Sequence, residues 1–128
     1  MRILLAAVLA MMTGCASIGV VSIEDHLKSA QIRLQVAEDV IPELVNSGDL
    51  TQSDAAKLGK AIDRAQEIVS ASYLLAVKGL PQDPANQIGL AIEALRTAQK
   101  ETESPKAKQN IGRTIAALTI RKSLLEAR

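Results

Sequence analysis

Aliphatic residues recur at helical spacing in four stretches of the chain. In the first, Ile23, Leu27, Ala30, Leu34, Ala37, Ile41 and Leu44 step by fours and threes, an unbroken seam along one side of a helix. The second carries Leu58, Ala61, Ala65, Ile68 and Ser72, widened by Ile62, Val69 and Tyr73. The third has Ile88, Ala91, Ile92, Leu95 and Ala98, and the fourth Ile111, Ile115, Leu118 and Leu125. No stretch alternates with period two, so no sheet is expected.

Start and stop signals frame these seams. Ser22-Ile23-Glu24-Asp25 and Thr51-Gln52-Ser53-Asp54 each place a hydroxyl residue three positions before an acid, the arrangement of a capping box. Asp83-Pro84 and Ser104-Pro105 each put a cap residue before a proline suited to the first helical position. Asn46-Ser47-Gly48 and Lys78-Gly79-Leu80-Pro81 read as glycine stops. The predicted helices are therefore 23–46, 52–78, 84–103 and 105–127. No glycine stops the third, so Pro105 either separates two helices or kinks one rod. Pro42 is expected to kink the first helix near Val40 or to split it. Buried seams with short connections favour antiparallel neighbours. The expected fold is all-α, an up-and-down antiparallel bundle of three to four helices over residues 22–128.

Three segments share one pattern: Leu58-Gly59-Lys60-Ala61-Ile62, Ile88-Gly89-Leu90-Ala91-Ile92 and Ile111-Gly112-Arg113-Thr114-Ile115. Glycine inside a helix costs about 1 kcal/mol relative to alanine. Close backbone approach between helices is the expected reason, with coincidence in an Ala/Ile-rich chain as the alternative.

Composition narrows the function classes. The chain has 128 residues, 48% of them apolar, with 15 Lys+Arg against 14 Asp+Glu. That length suits one domain, and the apolar share is too high for a disordered tail. Cys15, His26 and Tyr73 are each the single residue of their type, and Trp and Phe are absent. A disulfide framework, a Cys-based zinc site and a multi-His metal site are thereby excluded. Near-zero net charge and a lack of stacking aromatics argue against nucleic acid as a partner.

The N-terminal segment points to a compartment. Met1-Arg2 is followed by an apolar run from Ile3 to Met12 and then by Thr13-Gly14-Cys15. Ten apolar residues are too few to span a bilayer, which takes about 20, and match the apolar region of a signal peptide. Met12-Thr13-Gly14-Cys15 resembles the lipobox of bacterial lipoproteins, with Met where Leu is more usual. The resemblance implies a signal peptide over 1–14, cleavage before Cys15, a diacylglycerol on its sulfur and an acyl chain on the new amine. Residues 15–21 would form a lipidated tether to the membrane. Ala16-Ser17 follow the lipobox, and by the same resemblance the absence of Asp at position 16 implies the periplasmic face of the outer membrane in a Gram-negative host. The alternatives are an ordinary secretory signal that leaves a free thiol, or a short buried helix with an inert one.

Charge is segregated along the rest of the chain. Residues 22–54 carry Glu24, Asp25, Glu38, Asp39, Glu43, Asp49 and Asp54 against Lys28 and Arg33. Residues 104–128 carry Lys106, Lys108, Arg113, Arg121, Lys122 and Arg128 against Glu126. Opposite charge on the first and fourth helices would favour their being neighbours; contact of the basic helix with anionic lipid is the rival reading.

Two helices carry more apolar surface than one seam requires. Ile32, Val36 and Val40 lie almost opposite the main seam of the first helix. Ala117, Ile120 and Leu124 form a second side of the fourth, flanked by Arg113, Arg121 and Arg128. These are the candidate residues for self-association or for a protein partner. A broad buried face in an irregular bundle is the alternative.

Candidate chemistry is sparse. Glu24-Asp25-His26 joins the single histidine to two acids, but consecutive helical residues point to different sides, and capping already explains the acids. No phosphate-loop, nucleophile-elbow, zinc-helix or calcium-loop pattern is present. The expectation is a non-catalytic, membrane-anchored envelope lipoprotein with no cofactor beyond its covalent lipid. Its size and Ala-rich helices also resemble the small lipoproteins of phage and prophage genomes, which implies support of lysis or exclusion of rival phages. The alternative is a periplasmic carrier of lipid or another amphiphile in an aliphatic interior.

Overall fold

The computed structural model describes residues 21–128; the signal-like segment and Cys15 lie outside them. Four helices follow in order: α1 (Ile23–Asn46), α2 (Gln52–Val77), α3 (Pro84–Glu101) and α4 (Pro105–Glu126). Each starts where a side-chain oxygen takes up an orphan backbone donor. Ser22 Oγ accepts from Asp25 N, Thr51 Oγ1 from Asp54 N, Asp83 Oδ1 from Asn86 N and Ser104 Oγ from Ala107 N, all at 3.1 Å. Such caps stabilise a helix by about 1 kcal/mol each.

α1 and α2 stop in the same way. Gly48 and Gly79 take φ of 82° and 70°, a conformation that side-chain-bearing residues avoid. Gly48 N donates to Val45 O and Asp49 N to Leu44 O; Gly79 N donates to Ala76 O and Leu80 N to Leu75 O. These paired bonds are the Schellman arrangement. α3 stops differently, at Glu101, because Thr102 turns extended with φ −89° and ψ 145°. That break makes α3 and α4 two antiparallel helices and not one kinked rod. The expected ends at 78, 103 and 127 shorten by one or two residues, since Lys78, Thr102 and Ala127 serve as caps. Pro42 does not split α1, which runs through it. It lies on the exposed side, where water can satisfy the carbonyl its missing N–H leaves free.

The helices form a closed ring in chain order, α1 against α2, α2 against α3, α3 against α4, and α4 against α1. The core is Leu27, Leu34, Leu58, Ile62, Val69, Ile88, Leu95, Ile111 and Leu118, all fully buried. Buried alanines at 30, 37, 65, 91 and 107 sit among them and let the helices approach closely. Tyr73 packs against this core as a half-buried neighbour.

Two expectations about packing are corrected. In α2 the buried row is Leu58, Ile62, Ala65, Val69 and Ser72, while Ala61 and Ile68 are only half-buried. Both rows are aliphatic, so the spacing alone did not fix the rotation of the helix. The second correction concerns the internal glycines. A Cβ on Gly59 would meet nothing within 4 Å, one on Gly89 would meet Lys122 Cε at 3.1 Å, and one on Gly112 would meet Gln99 Nε2 at 3.1 Å. No neighbouring backbone approaches them, so close helix approach is not their reason.

Candidate functional site

The ring brings the acidic first helix beside the basic fourth, and polar bonds fix their register. Asn110 Nδ2 donates to Ala37 O at 3.2 Å, and Arg121 Nη1 lies 3.3 Å from His26 Nδ1. Lys106 Nζ meets Asp49 Oδ2 at 3.2 Å. Among the described residues that is the one ion pair joining the acidic segment to the basic one, so charge selects the pairing at one end more than along its length. Ser47 Oγ also donates to Asp49 Oδ2, at 2.6 Å. The Ser47 bond, with Lys106 beyond it, holds the Asp49 carboxyl below its ordinary value.

The same register separates the two halves of the candidate surface. Ile32 and Val36 lie level with the middle of α4, and Ile120 and Leu124 lie level with the first turns of α1. The two pairs are about 13 Å apart along the bundle axis at 1.5 Å per residue. All four are exposed: Ile32 by 56%, Val36 by 46%, Ile120 by 60% and Leu124 by 47%. Val40 and Ala117 are half-buried and Arg113 is exposed. Arg121 is not a free surface cation, because its guanidinium is spent on His26. Ile120 and Leu124 thus sit at one end of the bundle, and the first-helix row on its flank, level with Arg113.

Further exposed aliphatic residues, which the seams did not single out, stand at the end where α1 begins. They are Leu74, Leu75, Val77, Leu80 and Leu90. Leu80 and Pro81 follow the Gly79 stop, and the Ser72 hydroxyl is hydrogen-bonded to the Gln82 amide beneath that loop. The signal was present in the sequence as apolar residues off the main seams, but it gathers only once the helices are folded back.

His26 is the one residue of the Glu24-Asp25-His26 cluster that is buried. Burial lowers its pKa, and the charges of Arg121 and Arg128 lower it further, against a smaller opposing effect of Asp25. A neutral ring whose Nδ1 accepts from Arg121 fits that direction. Across the α1–α2 interface, burial raises the Glu38 carboxyl, with Asp63 and Asp39 adding to the shift. No group of three or more His, Cys, Asp or Glu among the described residues is placed to hold a metal ion. The surface clefts are open and mixed in character, such as the one formed by Asp83, Pro84, Asn86, Lys122, Leu125 and Glu126. No helix among the described residues is long and apolar enough to cross a membrane.

No family model, curated protein or solved structure matches the chain.

Proposed function

We propose that the chain is a lipid-anchored protein of the bacterial cell envelope that works by contact and not by catalysis. Cys15 carries the diacylglycerol and the N-linked acyl chain, and the helical bundle associates with a second copy or with another envelope protein. The observation that carries the association is the exposed row of Ile32 and Val36 on the outer flank of α1, bordered by Val40. Two β-branched aliphatic residues one turn apart, both about half exposed, form a ridge that a facing helix can cover. A carrier of amphiphiles has less support. The core side chains are buried against one another, and the clefts beside α3 and α4 include charged residues such as Asp83, Glu93, Arg96 and Lys122.

Two measurements test this reading. Fatty-acid labelling of the full chain is expected to disappear with Cys15→Ser, and unchanged labelling overturns the anchor. Sedimentation of the chain beginning at Ala16 is expected to show a concentration-dependent dimer or larger species that Ile32→Asp weakens. A monomer at every concentration, together with no cross-linked partner from position 36 in envelope preparations, overturns the association.

A further inference from the structure

Nine large aliphatic residues are exposed among the described residues, and seven of them crowd one end of the bundle. The register bonds place them. Gln31 Nε2 donates to Ser70 Oγ at 2.9 Å, so Leu74, Leu75 and Val77 lie beyond Ser70 toward the start of α1. Lys122 packs beside Gly89, which sets Leu90 level with the last turns of α4. Ile120 and Leu124 bracket Arg121, which meets His26 in the first turn of α1. Leu80 caps the same end from the α2–α3 loop. At the opposite end, where the α1–α2 and α3–α4 turns lie, no large aliphatic residue is exposed among the described residues, and Leu50 is buried.

The seven do not share one flank. Leu74 and Val77 follow Ser70 by four and seven positions and so keep to the α1 side of α2, while Leu75 projects to the other side. Leu90 is turned away from α4, because its neighbour Gly89 faces α4. Ile120 and Leu124 occupy the outer side of α4. A protein partner docks on one flank. A girdle over three of the four helices and the α2–α3 loop, open only on the α1 side where Asp25 and Lys28 are exposed, matches a layered apolar medium that the bundle enters along its axis.

We propose that this end of the bundle seats in the interfacial layer of a lipid bilayer, with the α1–α2 and α3–α4 turns pointing away from it. The inference rests on the reading of Cys15 as the lipid attachment point. Cys15 lies six residues before Val21, a reach of at most about 20 Å. α1 has 24 residues, about 36 Å of helix. The anchor therefore holds the girdled end near the lipid and leaves the far end outside its reach when the bundle stands upright. Exposed Lys78 sits at the same end, where a long basic side chain reaches the headgroups; Asp25, Asp83 and Glu126 are exposed there too, so apolar contact and not net charge carries the seating.

The chain has no tryptophan, so single reporters can be introduced cleanly. Leu80→Trp, Leu124→Trp and, at the far end, Lys106→Trp are made in the full chain, purified from bacterial membranes and reconstituted into phosphatidylcholine–phosphatidylglycerol vesicles. Intact mass reads whether Cys15 is acylated, and brominated phosphatidylcholine reads depth. The expected result is acylated protein in which the Leu80→Trp and Leu124→Trp reporters shift to the blue and lose most of their emission to bromine, while the Lys106→Trp reporter does neither. High salt leaves that contrast in place if apolar contact carries it. Equal, weak quenching at both ends of an acylated chain overturns the seating and leaves the anchor standing. A bare Cys15 overturns the anchor, and the contrast between the two ends then still judges the girdle. Reporters at the girdled end that are already blue-shifted without vesicles, and unaffected by bromine, mean that protein covers this end, which also overturns the seating.

Discussion

The guanidinium of Arg121 lies 3.3 Å from Nδ1 of His26, joining the last turns of α4 to the first turn of α1. An arginine can only donate, so the ring nitrogen it faces must accept, and the histidine is held neutral with its proton on Nε2. This contact closes the ring of helices at the end where the chain enters the bundle.

A pH dependence follows from that geometry. Burial and the Arg121 and Arg128 charges lower the His26 pKa from its ordinary 6.5. In a window at and just below that value the unfolded chain binds the proton and the folded chain does not. Stability therefore falls as pH falls through it, until the folded pKa is passed. Urea midpoints measured in steps from pH 7.5 to about pH 5 should drop in the native chain, and His26→Gln should remove most of this component. An unchanged slope in the variant would rule out His26 as its source.

Glu38 contributes with the opposite sign. Burial and the nearby Asp63 raise its carboxyl above the ordinary 4.5. The folded chain then holds a proton that the unfolded chain has released. The associated stability is complete below 4.5 and is lost as pH rises through the folded pKa. Glu38→Gln keeps the shape and removes the ionisation, so it is expected to raise the denaturation midpoint at pH 7. A lower midpoint there would show that the charge is favourable, contrary to the geometry.

Core packing makes a contrast between neighbours on α1. Leu34 is fully buried and Ile32 is exposed. Leu34→Ala should cost about 3 kcal/mol through lost transfer energy and a residual cavity. Ile32→Ala should change stability by about 0.5 kcal/mol or less. Chemical denaturation of both variants reads this directly, and equal losses would place Ile32 in the core.

The glycines predict effects of opposite sign. A Cβ at Gly59 meets open space on a helical backbone, so Gly59→Ala should stabilise by up to about 1 kcal/mol. Gly48 has equally open surroundings but a φ of 82°, and Gly48→Ala should destabilise by about 1 kcal/mol. Thermal midpoints moving in the same direction for both would refute this account of the two positions.

Much of the fold was legible because local chemistry and packing agree. Ser22, Thr51, Asp83 and Ser104 announce the helix starts, and Gly48 and Gly79 mark two of the stops; all six do what their residue types suggest. The seam of α1 was readable because polar residues flank it. The seam of α2 was not, because Ile62 and Val69 stand next to Ala61 and Ile68, and several rotations of that helix bury aliphatic side chains. The end of α3 was hidden for another reason. It depends on Thr102 turning extended beside Asp54, whose carboxylate accepts from Glu103 N at 3.4 Å, a contact across 49 positions of sequence. The candidate surface was legible residue by residue but not as a shape. Leu74, Leu80, Leu90 and Leu124 belong to three helices and a loop, and only their folding together puts them at one end.

Arg128 Nη1 donates to Val21 O at 2.6 Å, so the first and last described residues are tied together. A reporter domain appended after Arg128 would thus be grafted onto the pole where Val21 enters the bundle, the pole of the proposed tether. It would crowd whatever that pole rests on and blur any localisation signal. Insertion beside Gly48, at the antipode, is the placement that would leave the pole at Val21 unencumbered.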